Sequence, residues 1–253
     1  MARRVVARRM SVRAGCMAAM GVFCGAGVGH AAVITWLDTS PTLPGSPVPN
    51  NSNYFVPGVG LVNVSYAIPA NFTQGRLIQP AFQNGNVPGY TWGAHELLAT
   101  TNQTPGTAPL TPDNWSVTYT FPSTLPANSV FVSVGGLGAT TTFGGGASVA
   151  TVQQNGTFLG DFNNGGGPWG ATLFTPGAGF FTMQNSVTGA GGVDPHWNTE
   201  LGVVQINDSV SSITIRLSQL PGDGVGVNVG FVPAPASVLA LGGLVAMRRR
   251  RVG

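Results

Sequence analysis

Between Ala32 and Phe231 the chain alternates short patterned runs with stretches rich in Gly, Pro, Asn and Ser. In Trp115-Ser116-Val117-Thr118-Tyr119-Thr120-Phe121 the large apolar residues fall on one face and the hydroxyls on the other. Ile213-Thr214-Ile215-Arg216-Leu217 repeats the pattern, and Val225-Gly226-Val227-Asn228-Val229-Gly230-Phe231 alternates with glycine. Side chains on a strand point to opposite faces with period two, so such runs predict antiparallel strands with one buried and one wet face. Strands are expected at Val33–Leu37, Gly60–Ala67, Trp115–Phe121, Ser129–Val134, Ser148–Gln153, Gly202–Ile206, Ser211–Leu217 and Gly224–Phe231. Apolar residues do not recur at helical spacing over any long window. One helical turn is expected at His95–Ala99, and long loops at Thr39–Asn53, Asn163–Pro168 and Val187–Pro195. Eight to ten strands in this span predict an all-β antiparallel β-sandwich of jelly-roll type. No internal repeat points to a solenoid or propeller.

The two ends have a different character. Arg3 to Arg13 is a positive segment, Met17 to Val28 an apolar one, and Gly29-His30-Ala31 supplies small residues at the third and first positions before a cut. That is the order of a secretory signal, residues 1–31, with cleavage after Ala31 and a short signal helix. At the other end Val232-Pro233-Ala234-Pro235 precedes an apolar run to Met247 and four arginines, Arg248, Arg249, Arg250 and Arg251. The run from Ala234 gives about 21 Å of helix against a hydrocarbon core of about 30 Å, which suits temporary retention better than a permanent span. The arginines would stay cytoplasmic. The chain thus divides into a signal (1–31), a β-sandwich exodomain (32–231) and a tail with a short hydrophobic helix (232–253).

Composition sharpens this division. The formal charge of +3 suggests a basic protein, yet nine of the eleven basic residues lie in the two end segments. The exodomain holds only Arg76 and Arg216 against eight acids, a net of −6, and no lysine. Phosphate backbones require clustered cations, so nucleic acid is excluded as a partner. Cys16 and Cys24 both fall in the signal. The mature chain therefore has no disulfide framework, thiol nucleophile or cysteine-ligated metal.

The tail resembles the PEP-CTERM sorting signal, which exosortase-type membrane proteases read. Val232, Pro233 and Pro235 match its motif, and Ala234 stands where the family has glutamate. The resemblance covers about the last 22 residues. It implies export, transient membrane anchoring, processing by such a protease, and a place at the bacterial surface or in an exopolysaccharide matrix.

The exodomain offers few groups for chemistry. Its histidines, His95 and His196, stand beside Glu96 and Asp194, and a metal or acid–base site would need the fold to join them. The other acids are scattered, and Asp161, Asp208 and Asp223 sit in turn-like contexts. No catalytic residue, metal site or cofactor is expected. Seven Asn-x-Ser/Thr sequons match what an Asn-, Ser- and Thr-rich composition produces. Trp36 and Trp115 lie in strand patterns and are expected in the core. Trp92, Trp169 and Trp197 lie in loop-like stretches, where exposed rings could stack on sugars. The expected role is noncatalytic, structural or adhesive, alongside exopolysaccharide. A carbohydrate-binding module using these three tryptophans is the alternative, and a secreted hydrolase the less supported one.

Overall fold

The structure, a computed structural model, describes residues 34–39, 47–77, 86–87, 90–91, 96–101, 112–142, 145–162, 170–186, 194, 199 and 201–232. The signal segment, Ala31 and the tail beyond Val232 lie outside these residues, as do both predicted flanking helices. Among the described residues there is no helix. The strands are β1 (Thr35–Trp36), β2 (Ser52–Val56), β3 (Gly60–Ala67), β4 (Phe72–Leu77), β5 (Asn86–Val87), β6 (Tyr90–Thr91), β7 (Glu96–Thr101), β8 (Asp113–Leu125) and β9 (Val130–Gly135). They continue with β10 (Ala139–Thr140), β11 (Gly146–Ala147), β12 (Val149–Val152), β13 (Gly156–Phe162), β14 (Thr172–Gly177), β15 (Phe180–Asn185), β16 (Leu201–Ile206), β17 (Val210–Gln219) and β18 (Gly224–Phe231).

Two seven-stranded antiparallel sheets carry the fold. The first runs β13-β16-β9-β18-β7-β4, with β1 also paired to β18. The second runs β14-β15-β12-β17-β8-β3-β2. The pairing is nested: β7 with β18, β8 with β17, β9 with β16, and β12 with β15. The chain thus behaves as one long ribbon whose two halves pair in reverse order. Further pairs, β9 with β18 and β12 with β17, close the ribbon on itself.

The alternation in sequence explains the core. Trp115, Val117, Tyr119 and Phe121 of β8 and Ile213, Ile215 and Leu217 of β17 point inward. They share one buried cluster with Val132, Val134, Val227, Val229 and Phe231 of the other sheet. Phe121 meets Phe231 edge-on at 5.5 Å between ring centroids, the favoured aromatic geometry. This is a β-sandwich, and Trp36 and Trp115 are both buried as their patterns predicted.

Turn chemistry sets two chain reversals, the hairpin between β2 and β3 and the crossing from β17 in one sheet to β18 in the other. In Val56-Pro57-Gly58-Val59 and Leu220-Pro221-Gly222-Asp223 the fourth N–H donates to the first carbonyl, at 3.1 and 3.2 Å. Proline presets the second residue, and the third needs positive φ, which Gly58 (79°) and Gly222 (82°) supply.

Three expectations change. Of the helical turn expected at His95–Ala99, His95 lies outside the described residues and Glu96–Ala99 instead open β7, paired to β18 and β4. Its helix-favouring residues yield to the hydrogen-bonding demand of the two neighbouring strands. Strands β2, β4, β13, β14 and β15, and the short β5, β6, β10 and β11, add to those expected. The first sheet, moreover, has no wet face at its centre. Every residue of β9 is buried, and so is nearly all of β18. Ile34 and Trp36 lie over its outer side with Phe131, Leu201 and Val203 in a second apolar cluster. The Leu37 N–H donates to the Val229 carbonyl at 2.9 Å, and the Asn228 side-chain amide donates to the Leu37 carbonyl at 3.0 Å. Gly230 permits this docking: a Cβ there would stand 2.5 Å from Ile34 Cγ2 and 2.8 Å from Trp36 Cε3. Gly230→Ala is therefore expected to destabilise the protein by about 1–3 kcal/mol, the usual cost of overpacking. Urea unfolding measures this, and an unchanged midpoint would contradict the packing.

Candidate functional site

Most residues singled out from the sequence lie outside the described ones: Trp92, Trp169, Trp197, His95, His196, and the sorting residues Pro233, Pro235 and Arg248 to Arg251. Of the sorting motif only Val232 is described. Its N–H donates to the Ser129 carbonyl at 3.0 Å, so the motif starts directly where β18 ends. Asp194 has a structural use. Its carboxylate accepts from the Thr140 hydroxyl at 2.7 Å, from the Thr141 N–H at 3.0 Å and hydroxyl, and from the Thr142 N–H at 3.1 Å. These bonds, led by the Thr141 hydroxyl, hold its carboxyl below the usual range. Asp208 likewise ties one turn to another, accepting from the Asn155 N–H at 2.7 Å. Sequon asparagines are similarly engaged: Asn50 donates to the Tyr66 carbonyl at 2.9 Å and Asn71 to Asp113 at 2.6 Å. Among the described residues no three His, Cys, Asp or Glu side chains gather as metal ligands would.

Among the described residues, the outer face of the second sheet forms a broad exposed surface. The residues that alternate with its core-facing ones form cross-strand rows. One row runs Ala67, Ser116, Arg216, Thr151, Thr182, Thr175 across six strands. At about 4.8 Å per strand spacing it is about 24 Å long. The adjacent row pairs Ser65 with Thr118 and Thr118 with Thr214, whose hydroxyls lie 2.9 Å apart. A groove of about 470 Å³ lies over Ala67, Ser116, Thr151, Gln153 and Arg216. A second of about 320 Å³ shares Ala67 and Ser116 with it and extends over Ser65, Thr118 and Asn50. Together they make one shallow trough of mixed polar and apolar lining, which includes Trp115 and Leu217. Its rim is held by Asn50, which both donates to the Tyr66 carbonyl and accepts from the Tyr66 N–H at 2.8 Å. The Tyr66 hydroxyl donates to the Val48 carbonyl at 2.7 Å. Burial, and secondarily the neighbouring Tyr54, push this phenol above its ordinary range, so it stays neutral.

Arg216 is exposed at the centre of the trough. Its neighbours across the strands are hydroxyls, Ser116 on one side and Thr151 on the other. The sequence displayed these hydroxyls one strand at a time. The trough emerges only from register, which brings residues more than a hundred positions apart into one row. Comparisons of the chain with protein-family models, curated proteins and solved structures return no match.

A second polar centre lies inside. The indole N–H of Trp115 donates to Gln219 Oε1 at 2.6 Å, and Gln219 Nε2 donates to the Asp223 carbonyl at 2.7 Å. The Asp223 carboxylate accepts from the Gly138 N–H at 2.9 Å, the Gly224 N–H at 2.8 Å and the Ser148 hydroxyl. Burial pushes this carboxyl up to about 7, partly offset by those donors. Asp223 is fully enclosed, so it binds the turn after β17 to the loops on either side of β10 and β11. In the unfolded chain it titrates near the ordinary aspartate value of about 3.9. Between about pH 4 and 7 the unfolded chain releases a proton that the folded chain keeps, so this group's contribution falls as pH rises through that window. Relative to the wild type, Asp223→Asn is therefore expected to gain stability steadily from pH 4 to pH 7.5. Thermal melts across that range check it, and a pH-independent difference between the two proteins would refute it.

Proposed function

We propose that this chain is an exported, noncatalytic protein of the bacterial surface or extracellular matrix, with a structural or adhesive role against exopolysaccharide. The observation that carries this reading is the outer face of the second sheet. It is broad and open, with hydroxyl and amide groups that both donate and accept hydrogen bonds around Arg216 at its centre, and exposed Phe55, Leu61, Leu173 and Phe180 towards its edges. A polyhydroxylated polymer presents the same two capacities along an extended chain, and a row of about 24 Å accommodates several of its units. A small molecule is ordinarily held in a more enclosed and apolar pocket.

The nested pairing of β7, β8, β9 and β12 with β18, β17, β16 and β15 supports reading the sandwich as a jelly roll, an architecture used by lectin domains among others. The tail motif supports transient membrane anchoring and removal by an exosortase-type protease. The alternative module built on Trp92, Trp169 and Trp197 places its contacts outside the described residues, and nothing in the described geometry favours it.

Two measurements test the proposal. The purified protein should co-sediment with insoluble polysaccharide and lose that ability when Ser116→Trp fills the trough; equal sedimentation of both proteins would oppose the assigned face. Intact mass and fractionation of the native protein should show a start at Ala32 and loss of Arg248 to Arg251. A complete tail held in the membrane fraction would indicate a plain anchor instead.

A further inference from the structure

We infer that the trough around Arg216 is a site for carboxylated polysaccharide, a polymer bearing uronate-type sugars, with the Arg216 guanidinium as its anion contact. The inference rests on the adhesive reading above and deepens it.

The first ground is the placement of charge. The exodomain is acidic overall, so an anionic polymer is repelled from most of it. The described acids, however, avoid the outer face of the second sheet. Asp223 is buried, Asp161 lies on β13 of the other sheet, and Asp38 follows β1 there. Asp113 opens β8 in the inward register shared with Trp115 and accepts from Asn71. Asp194 is engaged by the threonines after β10, and Asp208 by Asn155 at a turn. Among the described residues this face therefore carries one cation and no anion.

The second ground is what surrounds that cation. Arg216 stands midway along the row, flanked by Ser116 and Thr151, with Thr214 two positions along its own strand. A guanidinium presents a planar fork of donors that matches a carboxylate in bidentate fashion. Hydroxyls on either side can then accept from and donate to the ring hydroxyls next to that carboxylate. A uronate unit carries both features on one ring, and a neutral sugar only one of them. Three strand spacings, from Ala67 to Thr151, give about 14 Å of groove with the guanidinium inside it. The anionic unit thus binds within a polymer chain as well as at its end.

A single exposed charge contact is modest and screened by salt. The expected effect is therefore a preference of about fivefold at low ionic strength, fading at high salt. Affinity electrophoresis of the full-length protein tests it, with polygalacturonate as one probe and the same polymer methyl-esterified as the other. The wild type should be retarded about fivefold more strongly by the free acid. Arg216→Gln should lose that preference and be retarded equally by the two polymers. Thr151→Glu, which places a carboxylate beside Arg216 in the same pair, should lose it as well. Both sites are on the surface, and unchanged melting temperatures establish that the variants are folded. Equal retardation of wild type and Arg216→Gln by polygalacturonate overturns the inference. So does a preference for the ester. If the wild type binds the ester and neutral polymers but ignores the carboxylate, only this inference fails. If it binds no polysaccharide at all, the adhesive reading fails with it.

Discussion

Strand β18 is the member on which the rest of the structure depends. It pairs with β9 along one side and with β7 and β1 along the other, so three segments distant in sequence meet on it. Its inward side chains, Val225, Val227, Val229 and Phe231, fill the space between the sheets. Its outward positions, Gly226, Asn228 and Gly230, are kept small or amide-bearing so that Ile34, Trp36 and Leu37 can dock. A strand covered on both faces must satisfy every polar group internally. Asn228 does so by donating to Leu37 while accepting from the Val229 N–H.

This covering has a consequence for function. With the centre of the first sheet closed on its outer side, the broad exposed face of the sandwich belongs to the second sheet. Charge scarcity shapes that face further. With no lysine and two arginines in the exodomain, that face presents mostly uncharged groups. Acids that could cancel Arg216 are spent as interior and turn ties, as at Asp223, Asp194 and Asp208. The same economy of charge leaves a single cation prominent on this face among the described residues.

Much of this fold was legible from alternation. β8, β17 and β18 stand where period two placed them, because packing between two sheets imposes that period directly. The two-sided burial of β9 and β18 was not legible. Ser133, Asn228 and two glycines look like a wet face, and only the docking of the β1 segment makes them interior. β14 and β15 were not among the expected strands; Pro176 lies on β14, an edge strand, where proline is tolerated. β7 misled through local helix propensity that tertiary pairing overrode. Asp223 was correctly placed in a turn, but its burial depends on Gly138 and Ser148, far away in sequence. The trough was half visible: each hydroxyl could be assigned to an outward face, yet no periodicity states which strands lie side by side.

The central claim is that the outer face of the second sheet is the working surface. Backbone amide shifts of the isotopically labelled protein, followed by nuclear magnetic resonance while polysaccharide is added, test it most directly. The account predicts shifts gathered at residues 65–67, 114–118, 149–153 and 214–218. Shifts gathered instead at β1, β9 and β18, with the trough residues silent, would contradict it.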